Sequence, residues 1–238
     1  IYKKILINSI KSDKLSRKNK YFLFTEANIP EKHSIKTQKH FILKSNRKKL
    51  ICYVGGNILC LSKKGSYKFR NNIIRNLSQN KKFSLYGRRW DEGVIPIDFP
   101  FIAFINRLPF IKKLIANYFQ KKYPKISSKG VVESKLETIN DYNFTLTIEP
   151  FIGEPKMLLE KIFDPMLSGS IPVYYGPREI DVPENLFIRI NNQVNPNKLV
   201  EYLDSFKENE LNEYRKRIYN FLISNECYKF RYSYFTNQ

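Results

Sequence analysis

The chain has 238 residues, 42% hydrophobic and 15% aromatic, which is enough for one good core or two small ones and excludes a disordered tail. Its 42 Lys+Arg against 22 Asp+Glu give a formal charge of +20. Such a field favours anionic partners: nucleotides, nucleic acid, phosphorylated glycans or an acidic membrane surface. Three cysteines (Cys52, Cys60, Cys227) and two histidines (His33, His40) make neither a disulfide framework nor a zinc knuckle, so reduced, cytosolic cysteines are expected. The first residue is Ile1 and no signal-peptide pattern follows, so the natural chain is expected to extend further.

Taken in chain order, "KYFLF" (20–24) reads as a short buried strand ending at Thr25-Glu26, and a basic stretch follows from Glu31 to Lys49. "KLICYVGGN" (49–57) reads as a buried strand and a Gly-Gly-Asn turn. Apolar residues at 69, 73, 74 and 77 have helical spacing, with Ser66 as a cap, and "FSLYG" (83–87) is again a strand. The long apolar stretch 94–119 is interrupted by Pro96, Asp98, Pro100, Asn106, Arg107 and Pro109. It is therefore a buried loop and a helix from about Pro109 to Phe119 rather than a membrane span, with a peripheral membrane patch as the alternative.

The second half repeats that rhythm. "YNFTLTIE" (142–149), "IPVYYG" (171–176) and "NLFIRI" (185–190) are strands. "KMLLEKIFDPMLSG" (156–169) reads as a helix, and 195–224 as one or two amphipathic helices. Short apolar strands alternating with helices imply an α/β fold with a parallel sheet covered on both faces. Ligands of such sheets sit beyond the carboxyl ends of the strands. Gly55, Gly56, Asn57, the segment from Glu149 to Gly153, and Gly176 all fall on that rim.

Glu160 and Lys161 stand side by side within the 156–169 segment. A lysine early in a helix opposes the helix dipole unless an anion bound there compensates, and a neighbouring carboxylate accepts hydrogen bonds from a ribose diol. The pair suits a nucleoside diphosphate, although a solvated Glu/Lys face has the same spacing. No Walker loop and no G-x-G-x-x-G occurs.

The segment from Tyr142 to Ile190 resembles the donor-binding signature of glycosyltransferase family ten, the α-1,3/1,4-fucosyltransferases. That pattern runs Y-K-F-x-x-x-x-E-N, then T-E-K-x-x-D-A-x-x-x-G-x-x-P-V-Y-x-G. Here Tyr142, Phe144 and Glu149 are followed by Glu160, Lys161, Asp164, Gly169, Pro172, Tyr174 and Gly176. "KKLICYVGGN", "YKFRNNIIRNL" and "FSLYGRRW" are similar to the family's upstream strands and arginine-bearing helix, so the resemblance covers residues 48–190.

The resemblance implies a GT-B-like enzyme: a Rossmann-type donor domain facing an acceptor domain, here truncated or minimal. The expected division is 1–47 on the acceptor side, 48–194 for the nucleotide-sugar donor domain, and 195–238 for C-terminal helices and a tail. It implies an inverting, metal-independent transfer of L-fucose from GDP-β-L-fucose to a glycan acceptor such as a bacterial surface polysaccharide. Lys161 and Arg70 would hold the diphosphate and Glu160 the ribose, with Asn57 and Glu149 also in the donor site. Glu26 would be the base, since "FTEANIP" places it four residues before Pro30 as in the family's G-E-N-x-x-P. Departures from the pattern are Glu149-Pro150 for E-N and Leu159 for the threonine. The expected location is cytoplasmic, with peripheral association at the inner face of the membrane. Two other readings stay open: a basic module binding nucleic acid or an acidic surface, and an inactive nucleotide-sugar binder. Trp90 is expected to pack under Arg88 or Arg89, and the basic-aromatic tail from Cys227 to fray.

Overall fold

A computed structural model describes residues 29–61, 65–150, 152 and 160–231. The expected strand at 20–24 and Glu26 lie outside the described residues.

Five strands form one parallel sheet: β1 (Lys49–Val54), β2 (Phe83–Tyr86), β3 (Tyr142–Ile148), β4 (Ile171–Tyr175) and β5 (Ile188–Arg189). Their order is β2-β1-β3-β4-β5, with Ile51 opposite both Phe83 and Phe144. Every residue of β3 is buried, as a central parallel strand covered on both faces requires. Its polar side chains pair internally: Thr145 Oγ1 lies 2.8 Å from Ser170 Oγ. The parallel α/β fold expected from the sequence is therefore present.

Two groups of helices cover the sheet. Helix α3 (Tyr67–Leu77) packs with α8 (Pro196–Asp204), while α9 (Glu208–Ile223) packs on α1 (Lys32–Thr37), α2 (Lys39–Ile42) and α7 (Phe163–Leu167). The helical spacing in α3 is realised, with Ile73, Ile74 and Leu77 buried. Each such side chain contributes about 1.5–3 kcal/mol. Asn195 caps α8 by accepting from the N–H groups of Asn197 and Lys198. The stretch 195–224 is thus two helices, joined through Ser205 to Lys207.

At the N-terminal end of the strands, Arg215 is fully buried. It donates to Glu208 (2.8 Å), Asn212 (2.7 Å) and Asn143 (2.5 Å). Arg47 serves the carbonyls of Phe41, Lys44 and Tyr142. Burial, with Arg215 nearby, lowers the Arg47 pKa. These guanidiniums tie α9 and the basic segment before β1 to the foot of the sheet.

Three expectations change. "NLFIRI" is a 3-10 turn (Glu184–Leu186) and only two residues of strand. The long β2–β3 connection does contain α4 (Ile102–Ile105) and α5 (Pro109–Lys122). Burial there holds for Val94, Ile95, Ile105 and Phe119, while Phe101, Phe104 and Phe110 face outward. The tail does not fray at its start: Cys227, Phe230 and Arg231 are buried, and Arg231 donates to the Leu222 carbonyl at 2.7 Å. Residues 232–238 lie outside the described residues.

Candidate functional site at the β1–β3 switch point

Chain order reverses between β1 and β3: the sheet grows from β1 to β2 on one side and from β3 to β5 on the other. A crevice beyond the carboxyl ends of these two strands is where such sheets bind ligands. The β1 exit carries Gly55, Gly56 and Asn57, and the β3 exit carries Glu149.

The β1 exit is held from the β2 side. Trp90 is fully buried and its indole N–H donates to the Gly55 carbonyl at 2.7 Å. Asn57 donates through Nδ2 to Arg89 O (2.9 Å) and through its backbone N–H to Arg88 O (2.9 Å). Gly87 sits at φ +127°, and a Cβ there would collide with the Gly55 carbonyl oxygen. Glycine is required for this approach. The ring partner of Trp90 is Tyr53, edge-on at 6.2 Å. The indole is thus a core anchor for the turn rather than a platform under Arg88 or Arg89, because its one polar atom faces a carbonyl that needs a donor.

Four of the residues expected in the donor site are brought together. Arg70 lies in the first turns of α3, 6% exposed, and its Nη2 donates to the Ile58 carbonyl at 2.5 Å. Its guanidinium also covers the Tyr67 ring at 4.8 Å, and its buried Nε has no hydrogen-bond partner among the described residues. Asn71 donates to the same Ile58 carbonyl at 3.0 Å, so Asn57-Ile58 and Arg70-Asn71 form one connected corner. Ser66, just ahead of α3, gives its hydroxyl hydrogen to the Glu149 carbonyl rather than capping the helix, and its N–H bonds Pro150 O at 2.9 Å. Lys161 reaches the last carbonyl of β3, with Nζ 3.5 Å from Ile148 O.

Glu149 itself is 1% exposed. Gly176, at the exit of β4, lies against it: an added Cβ would stand 2.8 Å from Glu149 Cγ and would collide with the Tyr174 hydroxyl. Burial, with the Glu149 carboxylate adjacent, raises the Tyr174 pKa. The corner therefore holds a buried guanidinium and a buried carboxylate, and among the described residues the buried amide oxygens Oδ1 of Asn57 and of Asn71 have no hydrogen-bond partner.

Of the expected helix at 156–169, only Phe163–Leu167 is α-helical among the described residues. Residues 156–159 lie outside the described residues, Glu160–Ile162 is a 3-10 turn, and α7 begins at Phe163. Pro165 is the reason. It has no N–H to bond the carbonyl four residues back, which is that of Lys161, and its ring clashes there, so it fits only in the first turn of an α-helix. Lys161 thus precedes α7 instead of lying in a second turn. The side chain of Glu160 lies outside the described part. Tyr142 and Asp164 make packing contacts: the Tyr142 hydroxyl meets that of Tyr86 at 2.9 Å, and Asp164 pairs with Lys135.

Sequence reasoning missed Asn71. The available signal was an asparagine, a poor helix former, on the buried face of an otherwise apolar-patterned helix.

The 102–221 segment, just over half of the chain, matches the model of "Glycosyltransferase family 10 (fucosyltransferase) C-term". Among curated proteins, Alpha-(1,3)-fucosyltransferase B of Drosophila melanogaster is 34% identical over 90 residues. That match covers 36% of this chain, and the chain spans 20% of that relative. Among solved structures, an alpha1,3-fucosyltransferase is similar at 14% identity and a TM-score of 0.41, over 82% of this chain and 41% of that one. An alpha1,3-fucosyltransferase with GDP-fucose is similar at 15% and 0.40, over 90% and 50%. Both structural likenesses are weak. The family match includes β3, Glu149, Glu160, Lys161 and the two helices after β5, and this chain belongs to glycosyltransferase family 10, the fucosyltransferase family, through its C-terminal portion.

Proposed function

We propose that this chain is the donor-binding part of an inverting glycosyltransferase that moves L-fucose from GDP-β-L-fucose to a hydroxyl of a glycan acceptor. Family membership carries the proposal, and the connected corner at the β1–β3 switch point supports it. In this reading residues 48–194 are the donor domain, residues 1–47 come from the acceptor side of a GT-B arrangement, with α1 and α2 resting against α9, and 195–238 supply the C-terminal helices and tail.

In this reading Arg70 and Lys161 meet the diphosphate, Glu160 the ribose hydroxyls, and Asn57 and Glu149 line the nucleotide end. Arg70 would leave the Ile58 carbonyl to reach phosphate oxygens, two of which a guanidinium can grip at once. The acceptor oxygen attacks the anomeric carbon as its bond to GDP breaks, and Glu26 takes the hydroxyl proton. The two cations steady the negative charge that develops on GDP. No metal enters the proposed chemistry. The proposed acceptor is a surface polysaccharide or lipopolysaccharide, and the proposed location is cytoplasmic.

The test is transfer of labelled fucose from GDP-fucose to a panel of glycans, with the product's anomeric configuration read by NMR. An α-L-fucoside from the wild-type chain, and none from Glu26→Gln, is the expected result. Transfer by Glu26→Gln at the wild-type rate would remove the base assignment, and a β-fucoside would remove inversion.

A further inference from the structure

The long connection between β2 and β3 holds a feature that the donor site does not use. Phe101, Phe104, Phe110 and Tyr118 are 83%, 62%, 74% and 69% exposed, and Ile111 and Leu114 are exposed beside them. At about 100° per residue, positions 110, 114, 118 and 111 share one arc of α5 roughly 100° wide. The opposite side carries Phe119, buried and edge-on to Phe99 at 5.7 Å. The helix is therefore anchored by one face and offers its more apolar face outward, the reverse of an ordinary surface helix. Scattered exposed apolar residues need no explanation, but a contiguous aromatic and aliphatic stripe marks an interaction surface.

Charge decides the partner. From Phe99 to Val132 the chain has seven Lys or Arg and no Asp or Glu, although it has 22 acids in all. Around α5, Lys113 borders one edge of the apolar arc, Lys122 the other, and Lys121 closes it at the C-terminal end. An acid-free basic rim around exposed aromatics matches a surface that is anionic outside and apolar just beneath. A protein partner with an apolar groove would not call for a uniformly cationic rim.

We propose that the 99–122 hairpin is a membrane-surface anchor, inserting Phe101, Phe104, Phe110 and Leu114 among the acyl chains of an anionic lipid leaflet while its lysines meet the headgroups. The hairpin leaves the sheet at the same rim as the candidate site: Ile126, just beyond it, bonds back to the Trp90 carbonyl at 2.9 Å. The inference stands on exposure and charge and does not depend on the sugar transferred.

Co-sedimentation of the full chain with vesicles tests it, using phosphatidylcholine alone and phosphatidylcholine with roughly a third phosphatidylglycerol. Binding to the anionic vesicles, with at least about tenfold less on neutral ones, is expected. The pairs Phe110→Ser with Leu114→Ser, and Lys121→Glu with Lys122→Glu, should each lower anionic-vesicle binding by about tenfold or more. Because all four side chains are exposed, the thermal midpoint by circular dichroism should stay at the wild-type value, which separates lost docking from lost folding. Absence of binding by the folded wild-type chain overturns the proposal. So does binding that survives both pairs, and so does a self-associated species in sedimentation equilibrium that Phe110→Ser dissolves, which would make the stripe a contact between copies.

Discussion

Replacing Trp90 by Phe tests how the fold holds the rim. Two losses follow from the structure. The Gly55 carbonyl loses its indole donor at 2.7 Å, and an acceptor left without a partner in a partly buried site costs about 1–2 kcal/mol. The smaller ring leaves a gap in a fully buried position, adding about 1–2 kcal/mol, while much of the edge contact with Tyr53 persists. The sum, about 2–4 kcal/mol, is a large share of a typical domain's 5–15 kcal/mol, yet leaves the chain folded. Equilibrium urea unfolding followed by far-ultraviolet circular dichroism measures it, since the only tryptophan is gone. The Gly55–Asn57 turn should loosen too, so GDP affinity should fall several-fold, to about the extent of one weakened hydrogen bond. Stability within about 0.5 kcal/mol of wild type would refute the claim that the indole anchors this turn.

Other outcomes follow from the same geometry. Burial pushes the Cys52 and Cys227 thiols up to about 12, and both are buried while Cys60 is partly exposed. Since the thiolate is the reactive form, intact-mass analysis after mild alkylation at neutral pH should show one adduct, at Cys60, and three after unfolding. Arg70→Ala and Lys161→Ala should each weaken GDP binding by about 1.5–3 kcal/mol, the worth of a charge-assisted bond, and Arg70→Lys should recover little because a lysine cannot grip two oxygens. Unchanged calorimetric affinity would take the residue out of the site. The hydrogen bond from Lys49 lowers the Asp141 pKa, so its contribution is present above the ordinary carboxylate range and lost as pH falls through the depressed value. Both side chains are nearly half exposed, so Asp141→Asn should cost less than about 1 kcal/mol at neutral pH and flatten the acid limb of a stability–pH curve.

Much of the sheet is legible in the sequence, because β1 to β4 are short runs rich in β-branched and aromatic residues closed by turn residues, and α3 has clean helical spacing. The misses have local causes. β5 is an edge strand whose register runs only from Val173–Ile188 to Tyr174–Arg189 among the described residues, and the Arg189 side chain turns back to Glu184 (Nε to Oε2, 3.1 Å) and the Pro177 carbonyl. The α-helix after Lys161 starts at Phe163 because Pro165, lacking an N–H, fits only in a first turn. In the 94–119 stretch, apolar composition does not mean burial: Val94, Ile95, Ile105 and Phe119 turn inward while Phe101, Phe104 and Phe110 do not. Motif order proposes Arg70, Glu149 and Lys161 for the candidate site, but their connections through Ile58 O, Ser66 and Ile148 O are bonds that no local pattern encodes.

Calorimetric titration of the chain with GDP, UDP and ADP at moderate salt, without added metal, asks directly whether this rim binds a guanosine diphosphate sugar. Selective GDP binding that Lys161→Ala weakens is the expected result; binding of UDP in preference to GDP, or of none of the three by the folded chain, would overturn the proposed donor site.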